Sequence, residues 1–248
     1  PGSGKGGAGS HFVSARYAAI APWERLWMRT VIFDLDGTLA DTGRDLIAAA
    51  NACFRALGHG DMLDPAADRA VAMRGGRAML TLGFRRLGSE YGTAEIEAQY
   101  PLLLDHYARD IDRHTALFPG AARAVATLRD AGYAVGICTN KPEGLAHDLM
   151  TRLGARDWFA SLIGADTLPV RKPDPATLRE AVRLAGGDMG RTVLVGDTQT
   201  DRDTARAAGI PAILVTFGPD GAAVRDLAPE GIIEHFDDLP AEVARLIG

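Results

Sequence analysis

Short apolar runs alternate with helical segments along most of the chain. Runs rich in β-branched residues predict strands at residues 30–34, 133–139, 161–165, 192–197 and 211–217. Between these runs the apolar residues recur at spacings of three and four, which is the spacing of one helix face. Strands without polar alternation are typical of a parallel sheet covered on both sides. The pattern therefore predicts an α/β fold built around a parallel sheet.

One long interval interrupts this alternation. Between Thr42 and about Leu117 the sequence has helical periodicity, few β-branched residues and no convincing strand. Because a loop of this length is uncommon in a compact domain, we predict an inserted α-helical domain over residues 43–116. Residues 29–42 and 117–248 then form a Rossmann-like core. The predicted hinges between the two domains are residues 40–43 and 117–120.

Composition narrows the class of protein. A chain of 248 residues that is 47% apolar can bury one sizeable core, with or without a small second domain. The net charge of -5, without a cluster of Lys and Arg, argues against nucleic acid as a partner. No apolar run approaches the length of a membrane span. Residues 1–28, rich in Gly, Ser and Ala, are interpreted as a tag or amino-terminal extension that we expect to be disordered.

The two cysteines, Cys53 and Cys138, lie in apolar surroundings and have no CxxC or histidine spacing. Their positions predict neither a disulfide framework nor a zinc site. A reducing, cytoplasmic setting is the expectation that follows.

Polar residues follow the predicted strands. They are Asp34 and Asp36 after the first strand, Thr139 and Asn140 after the second, Asp197 and Asp201 after the fourth, and Lys172 before a helix. In an open parallel sheet, ligands bind beyond the carboxyl ends of the strands. Each residue alone also fits a turn or a helix cap, but several carboxylates grouped at one edge require a cation. A hard divalent ion such as Mg²⁺ prefers oxygen ligands of this kind.

Four short motifs occur in order along the chain: "DLDGT", "CTN", "RKPDP" and "GDTQTD". In this combination the chain resembles the haloacid dehalogenase-like hydrolase superfamily over residues 29–248. It is most similar to the phosphoglycolate-phosphatase-like branch, and the resemblance implies that the helical insertion is a small α-helical cap.

The resemblance also implies an activity, that of a Mg²⁺-dependent phosphomonoester hydrolase. Asp34 would attack phosphorus to form an aspartyl-phosphate, and Asp36 would protonate the leaving oxygen and later activate water. Relatives that remove halide lack an acid at the second position, because halide leaves without a proton. Asp36 therefore favours phosphate chemistry over dehalogenation.

The same resemblance assigns the remaining site residues. Mg²⁺ would be bound by Asp34, the main-chain carbonyl of Asp36 and Asp197, with Asp201 in or near the outer coordination sphere. Thr139 and the main-chain N–H of Asn140 would hold the phosphoryl group, and Lys172 would offset its charge.

The stretch "AMRGGRAML" in the insertion contains Arg74, Gly75 and Arg77 directly before a periodic helix. We hypothesise that these residues contact the non-phosphate end of the substrate; a solvated helix start is the alternative.

Three functional classes remain open from the sequence. The leading hypothesis is a phosphatase for a small phosphate ester, with 2-phosphoglycolate as the first substrate candidate and sugar phosphates as others. A phosphomutase of the β-phosphoglucomutase type would use the same core, and a non-catalytic interaction protein is the third class. The oligomeric state is expected to be monomer or homodimer.

Overall fold

A computed structural model describes residues 28–88 and 92–248. Apart from Met28, the predicted tag or extension over residues 1–28 lies outside the described residues. The strands in chain order are β1 (Thr30–Phe33), β2 (Ala40–Asp41), β3 (Ala116–Leu117), β4 (Ala134–Cys138), β5 (Ser161–Ile163), β6 (Thr192–Gly196), β7 (Ala212–Val215) and β8 (Gly231–Ile233). Six of these strands form one parallel sheet in the order β5-β4-β1-β6-β7-β8, which confirms the predicted α/β, Rossmann-like fold.

Strand β1 lies in the middle of this sheet, paired with β4 on one side and β6 on the other. Its last residue, Phe33, is in register with Ile137 and Val195. All four residues of β1 are buried, as expected for a strand with helices on both faces. Residues that follow β1 are therefore placed at the centre of the carboxyl edge of the sheet.

The described helices in chain order are α1 (Gly43–Ala56), α2 (Arg69–Ala72), α3 (Gly76–Leu87), α4 (Thr93–Arg109), α5 (Ala121–Asp130), α6 (Glu143–Arg152), α7 (Pro175–Ala185), α8 (Gln199–Ala208) and α9 (Leu239–Ile247). The first four fall in the interval where sequence periodicity predicted a helical insertion. Helices α1, α3 and α4 pack on one another, and the rings of Phe54 and Phe84 meet edge to face at 5.1 Å. Over the described ranges, no helix combines the length and hydropathy of a membrane span.

Four short elements differ from the sequence prediction. Strand β8 and helix α9 were not predicted, since three apolar residues are too few to reveal a strand and β8 is defined by its pairing with β7. Residues Ala40 and Asp41 pair antiparallel with Leu117 and Ala116, where the sequence predicted hinges and no strand. Two-residue strands carry no periodic signal, so only the long-range pairing reveals them.

Candidate active site

The site begins at Asp34, directly after β1. The Asp34 main chain continues the sheet for one more bond, donating to the carbonyl of Val195 at 2.8 Å. The side chain is buried, and this burial raises its pKa to about 6, although the nearby ammonium of Lys172 opposes the shift. The sheet thus presents a carboxylate that has lost most of its hydration.

Lys172 joins two of the predicted acidic residues. Its Nζ lies 2.9 Å from Asp34 Oδ1 and 2.6 Å from Asp201 Oδ1. Burial alone would lower the pKa of this lysine, but the two carboxylates together raise it above its ordinary value. The side chain is placed by the start of α7, where Asp174 caps the helix by accepting a hydrogen bond from Ala176 N at 2.8 Å.

Asp201 is fully buried and also belongs to a helix start. Its Oδ2 accepts hydrogen bonds from the hydroxyl of Thr198 at 2.7 Å and from Thr198 N at 3.1 Å, in the capping box of α8. Both carboxylate oxygens therefore have protein donors. The cap and the ion pair with Lys172 hold the residue in one orientation.

A cluster of three carboxylates is suited to a metal ion. Ligand atoms of Asp34, Asp197 and Asp201 lie within 4.8 Å of one another. Asp34 Oδ1 is buried against the Lys172 ammonium, whereas Asp197 Oδ2 is buried and has no hydrogen-bond partner among the described residues. The pKa of Asp197 is raised well above its ordinary value by burial and by the other two carboxylates. Oxygen donors with excess negative charge fit a hard divalent cation, so this group could hold a metal.

Glycine at position 37 makes room for this cluster. Its φ is +83°, and a Cβ built there would lie 2.3 Å from Asp197 Oδ2. The next residue, Thr38, donates its hydroxyl to Asp197 Oδ1 at 2.8 Å. The turn after β1 is thus packed directly against the carboxylate at the end of β6.

Asp36 has different partners from the three-carboxylate group. Its Oδ1 accepts hydrogen bonds from Thr42 Oγ1 and from Lys141 Nζ, both at 2.7 Å. The side chain lines the neighbouring cavity and is only partly exposed. Its predicted metal contact through the main-chain carbonyl and its predicted role as a general acid and base both stay predictions.

Thr139 and Asn140 follow β4 on the same edge. Thr139 N donates to the carbonyl of Ile163 at 2.9 Å, while its hydroxyl accepts from Lys141 N at 3.1 Å. Asn140 Nδ2 donates to the carbonyl of Lys172 at 3.1 Å. The loops after β4 and before α7 are therefore tied together beside Asp34.

These residues surround a cavity of about 640 Å³ that lies between the sheet edge and helices α3 and α4. The predicted site residues that line it are Asp34, Asp36, Arg74, Gly75, Arg77, Thr139, Asn140 and Lys172. Asp197 and Asp201 lie behind this lining and have no exposed surface. The structure thus brings eight predicted residues to one cavity and the other two directly beneath it.

The three predicted residues of the insertion have different surroundings. Arg77 forms a two-point ion pair with Glu97, with distances of 2.7 and 2.8 Å, and its guanidinium lies 3.7 Å from the centre of the Tyr100 ring. Arg74 is exposed at the cavity, and Gly75, with a φ of +93°, precedes the first turn of α3. Arg77 is thus held by the helices, whereas Arg74 faces the opening.

Sequence reasoning did not assign a role to two residues that contact the site. Lys141 reaches Asp36, and Tyr107 from α4 lies under the lysine ammonium, 4.5 Å from Nζ to the ring centre. The lysine follows Thr139 and Asn140 at a strand end, which was a usable signal. The tyrosine had none, because it lies in the inserted helices and reaches the site only through packing.

Comparison with known proteins gives a consistent result. The sequence model described as haloacid dehalogenase-like hydrolase matches residues 31–215. A phosphoglycolate phosphatase of Mesorhizobium japonicum is 43% identical over 218 residues, covering 88% of this chain and 96% of the relative. One of Caulobacter vibrioides is 35% identical over 221 residues, covering 88% and 92%. The crystal structure of a predicted phosphoglycolate phosphatase from Haemophilus somnus 129pt shares the fold, with a TM-score of 0.77, 22% identity and coverage of 86% and 97%.

Proposed function

The chain belongs to the haloacid dehalogenase-like hydrolases and is a phosphatase, and we propose that it hydrolyses 2-phosphoglycolate to glycolate and phosphate with Mg²⁺ as cofactor. The observation that carries the proposal is the pairing of Asp34 and Asp36 at the end of the central strand, both facing one cavity. The relatives' names support the choice of substrate.

Asp34 is the proposed nucleophile. A carboxylate is a weak nucleophile in water. Burial removes water from the Asp34 carboxylate, and Lys172 Nζ, 2.9 Å from Asp34 Oδ1, holds this group in place. One carboxylate oxygen would bond to phosphorus as the bond from phosphorus to the glycolate oxygen breaks. The product of this step is an aspartyl-phosphate, and water then attacks its phosphorus to release inorganic phosphate and regenerate Asp34.

Asp36 is the proposed general acid and base. It would give its proton to the leaving glycolate oxygen in the first step and take a proton from the attacking water in the second. Its two donors, Thr42 and Lys141, hold the carboxyl group beside the cavity. The different neighbours of Asp34 and Asp36 therefore suit the first to act as nucleophile and the second to act as acid and base.

The remaining residues are proposed to bind the phosphoryl group. Thr139 and the N–H of Asn140 would donate to its oxygens, and the ammonium of Lys172 would offset its charge. Asp34, the carbonyl of Asp36 and Asp197 would hold Mg²⁺, with Asp201 fixing Lys172. The metal, when bound, supplies positive charge that neutralises the phosphoryl oxygens during transfer.

We further propose that residues 43–116 act as a cap over a core formed by residues 29–42 and 117–248. The cavity supports this division, because its lining combines residues that follow the sheet strands with residues of α3 and α4. A cap excludes water from the phosphoryl group and so favours transfer to Asp34. We propose a cytoplasmic setting, in which both buried cysteines stay reduced.

The test is release of inorganic phosphate from 2-phosphoglycolate and from a panel of sugar phosphates, with Mg²⁺ or with EDTA. We expect Mg²⁺-dependent release that is fastest with 2-phosphoglycolate and is abolished by Asp34→Asn. The matched control is Asp188→Asn, which keeps a capping side chain at the amino end of β6, away from the cavity. Release that persists in Asp34→Asn would refute the nucleophile assignment, and preference for a sugar phosphate would refute the substrate.

A further inference from the structure

Lys141 and Tyr107 meet beside the proposed acid. Lys141 Nζ lies 2.7 Å from Asp36 Oδ1 and 4.5 Å from the centre of the Tyr107 ring. Both side chains line the cavity although the residues are only 6% and 2% exposed. One comes from the loop after β4 and the other from helix α4, so the pair spans the two sides of the cavity.

The hydroxyl of Tyr107 is buried beside the Lys141 ammonium, and its O–H donates to no acceptor among the described residues. Burial raises the pKa of this group to about 12, so it is a proton donor at neutral pH. A buried hydroxyl that makes no hydrogen bond costs free energy, and such groups in a cavity wall mark a place where a ligand can accept a bond.

The chain uses lysine sparingly. Of its 27 basic Lys and Arg residues only three are lysines, at positions 5, 141 and 172. The two in the described ranges both line this cavity, Lys141 paired with Asp36 and Lys172 paired with Asp34. An ammonium is a compact charge with three N–H donors, and Asp36 occupies one of those of Lys141.

The size of the proposed substrate places its carboxylate near this pair. In 2-phosphoglycolate the carboxylate carbon is two bonds from the bridging oxygen, which must lie at hydrogen-bond distance from Asp36 for proton transfer. A carboxylate oxygen then lies within roughly 5 Å of the Asp36 carboxyl group. Lys141 is within this reach, whereas Arg77 is already paired with Glu97.

We propose that Lys141 and the Tyr107 hydroxyl bind the carboxylate of the substrate and select a short carboxylate-bearing phosphate ester. This subsite rests on the proposed function and names two residues for its specificity. The apolar side chains of Leu46, Leu103 and Leu145 also line the cavity. Such side chains offer no partners to sugar hydroxyl groups and so disfavour sugar phosphates.

The test compares two esters that differ in the carboxylate, 2-phosphoglycolate and ethyl phosphate. Tyr107→Phe removes only the hydroxyl, and Lys141→Gln removes the charge. We expect each variant to lower kcat/KM for 2-phosphoglycolate at least tenfold more than for ethyl phosphate, chiefly through KM. The matched control is Tyr133→Phe, whose hydroxyl instead accepts a hydrogen bond from Arg29 in a different part of the core. An equal loss on both esters would show a structural role and overturn the proposal.

A binding measurement separates this proposal from the substrate assignment. In the Asp34→Asn background, calorimetry gives the affinity for each ester without turnover. We expect 2-phosphoglycolate to bind more tightly than ethyl phosphate, and Tyr107→Phe to remove most of that difference. If the wild type releases phosphate from other esters only, the proposed substrate fails; the subsite then stands or falls on whether the carboxylate still increases affinity through Lys141 and Tyr107.

Discussion

At the scale of single residues, the site depends on buried polar groups whose partners differ. Asp34 and Asp201 share one lysine, whereas Asp197 has one oxygen bonded to Thr38 and one without a hydrogen bond. Because these carboxylates are buried, the pKa of each one depends on its nearest charged and hydrogen-bonding neighbours rather than on water. Small backbone changes beside the carboxylates should therefore disturb function more than stability.

Gly37→Ala tests this expectation where the backbone comes closest to the Asp197 carboxylate. The left-handed φ should cost about 1 kcal/mol for any residue with a Cβ, and the new methyl group would also collide with the carboxylate of Asp197. We expect a loss of unfolding free energy above that amount, together with a loss of phosphate release of at least tenfold. Urea unfolding and the phosphate assay measure the two effects.

The control for this change is Gly132→Ala. Its φ is +84°, nearly the same, but a Cβ there would have no atom of the described residues within 4 Å. It should cost about 1 kcal/mol of stability through the backbone alone and leave the rate of phosphate release unchanged. If the two variants behaved alike, the close approach to Asp197 would have no functional importance.

At the scale of elements, helix starts hold the site residues and connect the insertion to the sheet. The starts of α7 and α8 place Lys172 and Asp201. Helix α1 is tied to the returning chain by Asp45, which is buried and accepts hydrogen bonds from His114 N, Thr115 N and Thr115 Oγ1. One carboxylate thus joins two segments that are about 70 positions apart in sequence.

Asp45→Ala should be strongly destabilising. It removes the acceptor for three donors, of which the two from Thr115 are buried. Bonds of this kind to a charged group lead us to expect a loss of about 3 kcal/mol in unfolding free energy. Asp105→Ala, on the exposed side of α4, is the control and should change stability by less than about 0.5 kcal/mol. Equal effects in a urea titration would mean that the Asp45 contacts contribute little to stability.

At the scale of the whole molecule, stability should be coupled to metal binding. Within the described ranges, Lys172 is the one basic side chain that forms ion pairs with the three buried carboxylates, and it pairs with Asp34 and Asp201. The metal-free cluster therefore favours a cation. A divalent cation that binds only the folded state stabilises it by about 2.7 kcal/mol when its concentration is 100 times Kd.

We therefore expect Mg²⁺ to raise the thermal unfolding temperature of the wild type. Asp197→Asn should lose this response, because it removes one of the three carboxylates that would hold the ion. Asp188→Asn should keep the response. A Mg²⁺-dependent rise that survived in Asp197→Asn would contradict the assignment of Asp197 as a ligand.

The sequence by itself determined the fold class and the position of most core elements. Each of the five predicted strands corresponds to a strand of the sheet, since a strand buried on both faces requires a continuous apolar run that is readable locally. The candidate site residues could also be identified from the sequence, because they directly follow the predicted strands and a parallel sheet brings all its carboxyl ends to one edge. The cavity lined by Asp34, Asp36, Thr139 and Lys172 follows from that geometry.

The tertiary structure alone decided what has no local pattern. Strand β8 and the β2 and β3 pair exist only through partners distant in sequence. The placement of Tyr107 under Lys141, and of Arg77 on Glu97 and Tyr100, depends on how the inserted helices pack on one another and against the core. Periodicity identifies which face of a helix is apolar, but the neighbour of each side chain is set by packing between elements, which no short stretch of sequence encodes.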